Sequence, residues 1–395
     1  MIQRPTAAII HLDHLLHNFQ VIRKLAGPAS PLAPVVKSNA YGHGMVAVAR
    51  ALSGAGAEWL AVSLTEEGLE LRKNGLAGPV LVLGGCYPGQ AQEIAASHLT
   101  PVVATPELVH ALNEAARALG RPASIHLKLD TGLGRLGILP QDLPAFLQNL
   151  RGMTFLRLEG ICTSFSAVDN IEGAGRQLDL FERTAGEVEG LWGQPLVRHI
   201  AHTGGLLRGL NRPGWLIRPG IMLYGYTRGL EDSQADLKPV LTWRTEIYKV
   251  QGFPEGYPIG YSGLYRAPKG SRIALLPVGY SDGLLRSYMG GGEVLIRGKR
   301  APLVGRFTMD WTMAEVGHIP EAKAGDEVIL VGAQGGDRIT ADEMAERAKT
   351  IIDEIFVAIA ARVPRICKNG KDDDLVKSRF RDGHVKSSIC KARKS

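Results

Sequence analysis

The stretch PVVKSNAYGHG, residues 34–44, joins an apolar run to a polar turn and places a lysine at the junction. The run PVV has the composition of a short buried strand, and Lys37 stands where that strand ends. Tyr41 and His43 follow within a glycine-containing turn. Because a lysine amine is costly to bury in packed core, this position indicates a strand whose end opens on a pocket.

The same pattern recurs through the first part of the chain. Short β-rich apolar runs alternate with stretches that carry apolar residues at helical spacing. Eight strand-then-helix units predict an α/β fold, a closed parallel (β/α)8 barrel of the TIM type. The eight strand candidates are PVVK at 34–37, LAVS at 60–63, VLVLG at 80–84, PVVA at 101–104, IHLKLD at 125–130, LEGICTS at 158–164, RHIAH at 198–202 and IRPGIMLYG at 217–225.

In such a barrel the reactive groups lie where the strands end and their loops begin. We therefore expect a site at the carboxyl ends of the strands. The polar and charged side chains that fall at or just after a strand end are Lys37, Lys128, Asp130, Ser164, His202 and Arg218.

After about residue 232 the pattern changes to strand-like runs separated by glycine and proline, which predicts a mainly β C-terminal domain. We place the barrel at 1–232, the β domain at 233–374 and a basic tail at 375–395. The run TAAII at 6–10 is a further strand candidate that fits either domain. Helical patterns at 340–350 and 352–363 close the β domain, and we expect order to end near residues 363–365.

Length and composition fit a two-domain globular protein. The chain has 395 residues, 45% of them hydrophobic and 22% charged. Its net charge of +7 is concentrated after Leu375, where seven Lys or Arg and one Asp give +6. A short basic tail is typical of a solvated end, so we expect no nucleic-acid partner. With no secretory signal or long apolar run and no cysteine pairs at metal spacing, we expect a cytoplasmic protein without a membrane anchor or metal.

Lys37 could be a nucleophile or an ordinary solvated side chain. A partly desolvated lysine has a lowered pKa and forms a Schiff base with an aldehyde, and pyridoxal phosphate is the common biological aldehyde of this kind. The position of Lys37 alone does not distinguish a nucleophile from a solvated side chain, but its neighbouring residues do.

The segment KSNAYGHG at 37–44 resembles the cofactor-lysine motif of alanine racemases, usually Lys-Ala-Asn-Ala-Tyr-Gly-His-Gly. The resemblance continues in matching order over nearly the whole chain. The other segments similar to family signatures are HLKLDTGLGRLG at 126–137, IRPGIMLYG at 217–225, GYSGLYRA at 260–267, LPVGYSDGLLR at 276–286, GRFTMD at 305–310 and ARVPR at 361–365.

The resemblance implies an isomerase that uses pyridoxal 5'-phosphate and two bases. Lys37 matches the lysine that holds the cofactor and serves as one base, and Tyr261 matches the opposite base. Arg135 matches an arginine that contacts this tyrosine, and Lys128 a lysine that is carbamylated in many members. Arg218 matches the arginine that faces the cofactor's ring nitrogen, where a guanidinium keeps that nitrogen unprotonated.

The resemblance also assigns binding residues and a partner. Implied phosphate contacts are Tyr41, Thr203, Gly220 and Ile221, whose hydroxyls and backbone N–H groups are neutral donors. A homodimer with shared active sites is implied as well. The residues implied to line the substrate pocket are Arg135, Tyr265, Tyr280, Met309 and Asp310.

Three positions depart from the family pattern. Ser164 stands where a histidine usually stacks on the cofactor ring, and His202 precedes Thr203 where Asn-Ser is usual. Asp353 stands where a tyrosine usually binds phosphate, and a carboxylate there would repel the phosphate. His202 could compensate as a phosphate donor or as the stacking partner.

The leading function is interconversion of L- and D-alanine, which in a bacterial cell supplies D-alanine for peptidoglycan. Because of Ser164 and Asp353, racemisation of another amino acid or of a broad range of them is the alternative. A decarboxylase of related fold generally has an acidic residue where Arg218 stands. A non-catalytic cofactor carrier would lack the domain that holds Tyr261.

Overall fold

A computed structural model describes residues 4–230 and 235–369 of the chain. It divides into two compact units. One unit, here the barrel unit, comprises Leu15–Ala40 and Met45–Lys238. The other, here the β unit, comprises the residues up to His14, Tyr41–Gly44 and the residues from Pro239 onward. The predicted tail at 375–395 lies outside the described residues.

The described residues form both helices and strands. The strands are β1 (Ala7–His11), β2 (Leu60–Val62), β3 (Val80–Val82), β4 (Leu99–Val103), β5 (Ala123–Lys128), β6 (Leu156–Cys162), β7 (Val197–His199), β8 (Leu241–Glu246), β9 (Lys249–Gly252), β10 (Pro258–Ile259), β11 (Tyr265–Arg266), β12 (Arg272–Leu276), β13 (Glu293–Ile296), β14 (Lys299–Val304), β15 (Thr312–Glu315), β16 (Glu327–Gln334), β17 (Asp337–Ile339) and β18 (Arg365–Lys368). The helical segments are α1 (Leu12–Ala26), α2 (Lys37–Tyr41), α3 (Met45–Gly54), α4 (Thr65–Lys73), α5 (Ala91–Ala96), α6 (Pro106–Ala118), α7 (Leu143–Arg151), α8 (Ile171–Trp192), α9 (Thr203–Leu207), α10 (Ala341–Ala348) and α11 (Ile352–Ala358).

The barrel unit is a ring of parallel strands. Strands β2 to β7 form one six-stranded parallel sheet in chain order. Two further segments close the ring through parallel bridges, which pair Val35 with Ala61, Leu32 with Ile217 and His202 with Arg218. The predicted (β/α)8 barrel with a mainly β second domain is therefore confirmed.

The helices of the barrel unit follow from sequence patterns. Helix α6 begins with Pro106 at its first turn, where a missing N–H costs nothing. Its buried face carries Leu108, Val109 and Leu112, which recur at helical spacing. Helix α8 begins at Asn170, whose side chain accepts a hydrogen bond from the Gly173 N–H, and such a cap stabilises a helix by about 1 kcal/mol.

The β unit is built on a ten-stranded sheet with the order β18-β1-β8-β16-β13-β14-β15-β12-β9, and β17 pairs with β16. Strand β1 lies between β18, to which it is parallel, and β8, to which it is antiparallel. Ala8 pairs with Arg365 on one side and Trp243 on the other. The run TAAII, which lies within the predicted barrel range but fits either domain by sequence, belongs to this sheet.

Two sequence expectations were wrong. Order does not end at residues 363–365, because Arg365–Lys368 forms strand β18 and its backbone is satisfied by β1. The run IRPGIMLYG at 217–225 is not a strand throughout. Only Ile217 and Arg218 form bridges, and Ile221–Tyr224 turns into a 3₁₀-helix after the glycine at 220.

Within residues 4–230 and 235–369, no helix has both the length and the apolar character needed to cross a bilayer.

Candidate active site

The candidate lysine is followed by a left-handed turn. Ser38 (φ 52°, ψ 50°), Asn39 (φ 56°, ψ 44°) and Ala40 (φ 54°, ψ 53°) have left-handed backbone, and so does Tyr41 (φ 51°). Each such residue costs roughly 1–2 kcal/mol for an L-amino acid. Strain is therefore concentrated beside Lys37, which is half-buried at the end of its barrel segment.

Hydrogen bonds from the barrel unit offset this strain. The Ser38 N–H donates to Glu67 Oε1 at 2.5 Å, and the Ala40 N–H donates to the Val36 carbonyl at 2.8 Å. The Asn39 side chain accepts from the Met45 N–H at 2.8 Å. These contacts hold the turn in one conformation and so restrict the direction in which Lys37 leaves the barrel.

Lys128 lies buried at the end of β5. Its Nζ donates to Ser164 Oγ at 2.8 Å, which joins two of the predicted strand-end residues. Burial is the main cause that lowers the pKa of the Lys128 amine to about 8. Near neutral pH this amine therefore carries a larger neutral fraction than an exposed lysine does.

Asp130 orders the loop that carries Arg135. Its Oδ1 accepts from the N–H groups of Gly132, Leu133 and Gly134 at 2.9, 2.9 and 3.1 Å, and its Oδ2 accepts from the Arg135 N–H at 3.0 Å. Burial opposes ionisation, but the four donors together lower the pKa of Asp130. The carboxylate thus stabilises the loop, while the Arg135 side chain is exposed.

Arg218 is a buried cation at the end of the last barrel segment. Its guanidinium donates to the carbonyls of Thr163 and Ile200 at 2.9 and 3.1 Å and to His199 Nδ1 at 2.5 Å. Among the described residues no carboxylate pairs with it. These bonds occupy three of five N–H donors, so the site carries a positive charge that an anionic or acceptor ligand would satisfy.

Two buried histidines extend from Arg218. A guanidinium can only donate, so His199 Nδ1 accepts and its proton lies on Nε2. His199 Nε2 lies 2.7 Å from His126 Nδ1, which must then accept in turn. Burial, followed by the charge of Arg218, lowers the pKa of His126 to about 3 and that of His199 well below its usual value. Both rings are therefore neutral and hold Arg218 in one orientation.

Neutral donors lie beside this cation. The hydroxyl of Thr203 is contacted by the backbone N–H groups of Gly220 and Met222 at 3.2 and 3.4 Å. Ile221, between them in the chain, is buried. Three predicted phosphate-binding residues are thus adjacent, and their groups carry no charge of their own.

His202 lies directly before Thr203. Its Nδ1 accepts from the Gly204 N–H at 3.1 Å. Burial, followed by the charges of Arg218 and Arg228, lowers the pKa of His202 to about 4. The ring is therefore neutral at physiological pH, with its proton on Nε2, so it is a hydrogen-bond donor on that side.

In the β unit, Tyr261 lies at the tip of a short hairpin formed by β10 and β11. Its side chain is 71% exposed. The hairpin is anchored by Ile259 and Ala267, which are buried against a cluster that includes Ile273 and Val304. The packed end of the hairpin therefore holds the Tyr261 phenol in place, and the phenol is accessible from the surface of this unit.

The remaining predicted residues of the β unit lie at or near its surface. Tyr280 and Met309 are 41% and 54% exposed. Asp310 pairs with Arg362, whose NH2 lies 2.5 Å from its Oδ1. Tyr265 is half-buried on β11, and burial, followed by Glu315, raises the pKa of its phenol. Asp353 is half-buried in the first turn of α11.

Comparison with known proteins gives the same assignment for both halves of the chain. Residues 10–228 match the family described as alanine racemase, N-terminal domain, and residues 240–367 match alanine racemase, C-terminal domain. The alanine racemase of Syntrophobacter fumaroxidans is 41% identical over 363 residues, which are 91% of this chain and 97% of that protein. The chain belongs to the alanine racemase family. It is therefore an isomerase of the amino-acid racemase type, as the sequence predicted.

Solved structures of the family have the same fold. The alanine racemase from D-cycloserine-producing Streptomyces lavendulae superposes with a TM-score of 0.88 at 34% identity, covering 94% of this chain and 98% of that one. The Bacillus anthracis alanine racemase with bound L-Ala-P has a TM-score of 0.87 at 33% identity, covering 94% and 96%. The departures at Ser164, His202 and Asp353 therefore occur within a conventional alanine racemase fold.

Sequence reasoning missed several residues of the site. His126 and His199 were read as parts of strands, although each is a polar residue within an otherwise apolar run. Because alternate residues of a barrel strand point inward, this pattern was the available signal. Glu67, which holds the turn after Lys37, had no such signal, since its role depends on a contact between separate segments.

Proposed function

We propose that this racemase interconverts L- and D-alanine with pyridoxal 5'-phosphate as cofactor. The observation that carries the proposal is the set of groups at the barrel's strand ends. Lys37 follows one strand. Arg218, which is buried and pairs with no carboxylate among the described residues, follows another, and the neutral groups of Thr203 and Gly220 lie beside it. Family relatives named alanine racemase support the substrate.

These residues fit a cofactor that has a phosphate, a ring nitrogen and an aldehyde. Neutral hydroxyl and backbone N–H groups suit phosphate, because they donate without adding charge. Tyr41, Ile221 and His202 are the other residues that we assign to holding the cofactor. When bound, pyridoxal phosphate supplies an aldehyde that captures the substrate amine and a ring that withdraws electrons from Cα.

The chain's own residues then move the proton. Racemisation requires that a proton leaves Cα on one face and that another is returned on the opposite face, so two bases are better suited than one. We assign Lys37 Nζ to one face and the phenol oxygen of Tyr261 of the partner subunit to the other. The exposed hairpin tip on which Tyr261 lies is consistent with a phenol lent to a second chain, and a homodimer follows from this assignment.

Arg218 would face the ring nitrogen as a donor. It remains protonated at neutral pH and cannot take a proton from that nitrogen, so the ring withdraws electrons less strongly and side reactions are limited. Arg135 would orient the phenol and the substrate. Tyr265, Tyr280, Met309 and Asp310 complete the proposed substrate pocket.

Lys128 is a proposed carbamylation site. Carbamylation requires a neutral amine, and burial lowers the pKa of Lys128 to about 8. The alternative is that Lys128 stays a free amine bound to Ser164, as the 2.8 Å contact has it.

The test is chemical capture followed by isotope exchange. Borohydride reduction of the purified yellow protein should fix the cofactor to the peptide that contains Lys37. The Lys37→Arg variant should lose the adduct, whereas the exposed-lysine control Lys73→Arg should keep it. Solvent deuterium should enter Cα of alanine with wild-type protein. An adduct on another lysine, or no deuterium in alanine, would reject the proposal.

A second variant separates a racemase from a cofactor carrier. Tyr261→Phe should keep the yellow colour and lose most turnover, since only the phenol that exchanges a proton is removed. A carrier would be indifferent to this change. Complementation of a strain that needs D-alanine for peptidoglycan would test the proposed cytoplasmic role in cell-wall supply.

The alternative is racemisation of another amino acid or of a broad range. Ser164 is smaller than the usual histidine, and its hydroxyl is engaged by Lys128. The wall of the site at this strand end is therefore shorter than in the usual pattern. Chiral chromatography with alanine, serine, lysine and arginine as separate substrates decides between the two, because exclusive turnover of a non-alanine substrate would reject the first.

A further inference from the structure

The family signature ARVPR at 361–365 has no role in the function proposed above. Its two arginines each make several charge-assisted contacts within the β unit, and each arginine has at least one contact to a segment that carries or adjoins a proposed site residue. Such contacts are stronger than ordinary hydrogen bonds and fix geometry. We therefore expect the ARVPR motif to position other segments of the β unit, in addition to leading into strand β18.

Arg362 joins two loops. Its Nε lies 2.9 Å from Asp282 Oδ1, and its NH2 lies 2.5 Å from Asp310 Oδ1. Asp282 is fully buried, and its Oδ2 also accepts from the Gly279 N–H at 3.0 Å. Arg362 therefore connects the loop that carries Tyr280 to the loop that ends at Asp310.

Backbone contacts make these two loops one body. The Tyr280 N–H donates to the Thr308 carbonyl, and the Ser281 N–H donates to the Met309 carbonyl, each at 3.0 Å. A Cβ on Gly279 would lie 2.3 Å from the Thr308 oxygen, so only glycine permits this approach. Motion of one loop is thus transmitted to the other.

Arg365 holds a different segment. Its Nε donates to the Gly42 carbonyl at 2.8 Å, and its NH1 donates to the carbonyls of Ala360 and Val363 at 2.6 and 2.8 Å. Gly42 has φ +79°, and a Cβ there would lie 2.2 Å from the Phe356 oxygen. The turn Tyr41–Gly44 therefore rests directly on the backbone of α11 and is tied to it by Arg365.

We propose that ARVPR is a two-armed positioning clamp for the active site. Arg362 positions the loops of Tyr280, Met309 and Asp310, which the proposed function assigns to substrate. Arg365 positions the turn that begins with Tyr41, which it assigns to the cofactor phosphate. The assignments to substrate and cofactor rest on the proposed function, whereas the contacts of Arg362 and Arg365 are independent of it.

The two arms should separate in kinetics. Arg362→Gln should raise the KM for alanine about threefold, because solvent screens a pair as exposed as Arg362 and Asp310, and leave cofactor affinity unchanged. Arg365→Gln should weaken cofactor binding by about tenfold, and its KM for alanine should return to normal at saturating cofactor. Arg338→Gln, an exposed arginine on β17, is the matched control for both.

The measurements are absorbance titration with pyridoxal phosphate and racemisation rates at saturating cofactor, on full-length protein whose melting curve shows that it is folded. Arg362→Lys should recover part of the KM, because one charge can still reach Asp310. Asp310→Asn in the Arg362→Gln background should add little to the KM, because both remove the same pair.

Two results would overturn the clamp. One is that both glutamine variants change cofactor affinity and KM together, as general destabilisation would. The other is that neither differs from Arg338→Gln. If wild-type protein binds pyridoxal phosphate but does not racemise alanine, the proposed substrate fails, whereas the Arg365 arm is still tested by the cofactor titration. If a variant does not fold, hydrogen exchange of wild-type residues 41–44 decides, because a clamped turn exchanges slowly and an unclamped one rapidly.

Discussion

Acid should destabilise the barrel unit steeply, because it holds three histidines in neutral form, of which His126 and His199 are buried and His202 is half-buried. Burial, followed by the charge of Arg218, lowers the pKa of His126 to about 3 and of His202 to about 4, and lowers that of His199 well below its usual value. In the unfolded chain each titrates near 6.5. Above that pH both states are neutral, and the histidines have no effect on stability.

The loss begins as the pH falls below 6.5. The unfolded chain then binds a proton on each histidine that the folded chain does not bind, so stability falls until the folded pKa is reached. At about pH 5.5 each group costs about 1.4 kcal/mol, and the three together cost about 4 kcal/mol. Since a folded domain has only about 5–15 kcal/mol in total, this is a large part of its stability.

Paired asparagine substitutions measure the effect. His202→Asn removes one of these histidines, so the difference in unfolding free energy between about pH 7.5 and about pH 5.5 should shrink by about 1.4 kcal/mol. His110→Asn makes the same change at an exposed site and should leave the difference unaltered. Urea unfolding of cofactor-free protein at both pH values gives the free energies. If His202→Asn keeps the wild-type pH dependence, or His110→Asn reduces it equally, the buried-neutral account is wrong.

Three further predictions concern separate parts of the chain. Gly137→Ala should remove most activity, since its Cβ would lie 2.4 Å from the Leu129 carbonyl carbon and displace the strand end, whereas Gly134→Ala, with no atom nearby, should cost only about 1 kcal/mol of stability in urea unfolding. Arg300→Met should cost about 1 kcal/mol by the same measurement, because Asp337 loses its cation whereas Arg347 still pairs with Glu293 and Glu343, and Arg176→Met on the surface of α8 should change nothing measurable. Carbon-13 bicarbonate should give a carbamate signal that rises from about pH 7 to about pH 9 as the Lys128 amine loses its proton, and Lys128→Arg should abolish it; a signal that survives in the variant would exclude this lysine.

The alternation of strand and helix patterns was sufficient to predict the barrel. What it could not show is how the barrel closes. The segments at 32–35 and 217–218 join the ring through isolated bridges, so their pairing is too sparse to define strands of ordinary length. The run after Arg218 continues to look apolar, yet it turns because its backbone leaves the ring there, which periodicity does not report.

The residue types of the candidate site could be predicted from the sequence, but the contacts between those residues could not. Lys37, Lys128 and Arg218 were found because each places a charge at the end of an apolar run. The left-handed turn at Ser38–Tyr41 was not found, because the turn contains no glycine and only Asn39 is of a residue type that tolerates such backbone. One of the contacts that stabilise it comes from Glu67, which no local pattern encodes.

The departures at 164 and 202 lie at the ends of two neighbouring strands, β6 and β7. In the usual family pattern an imidazole stands at the end of β6, whereas here a serine stands there and the imidazole lies at the end of the next strand. Arg218 lies near both strand ends and donates to the Thr163 carbonyl, while Lys128 binds Ser164. Burial, followed by the charges of Arg218 and Arg228, lowers the pKa of His202 to about 4, so this imidazole is neutral.

The imidazole of His202 therefore adds no charge of its own beside Arg218. The distribution of side-chain volume differs from the usual family pattern, since the small Ser164 stands at the end of β6 and the larger His202 follows the end of β7. Phe165 supports the new position, with its ring edge-on to His202 at 6.2 Å between centroids. The proposed function assigns proton transfer to Lys37 and Tyr261, which lie at other positions, so we expect this exchange to affect which substrate side chain the pocket admits. Asp353 lies in the β unit and has no counterpart in this exchange, so an effect of Asp353 on cofactor affinity has to be measured separately from an effect of Ser164 and His202 on substrate preference.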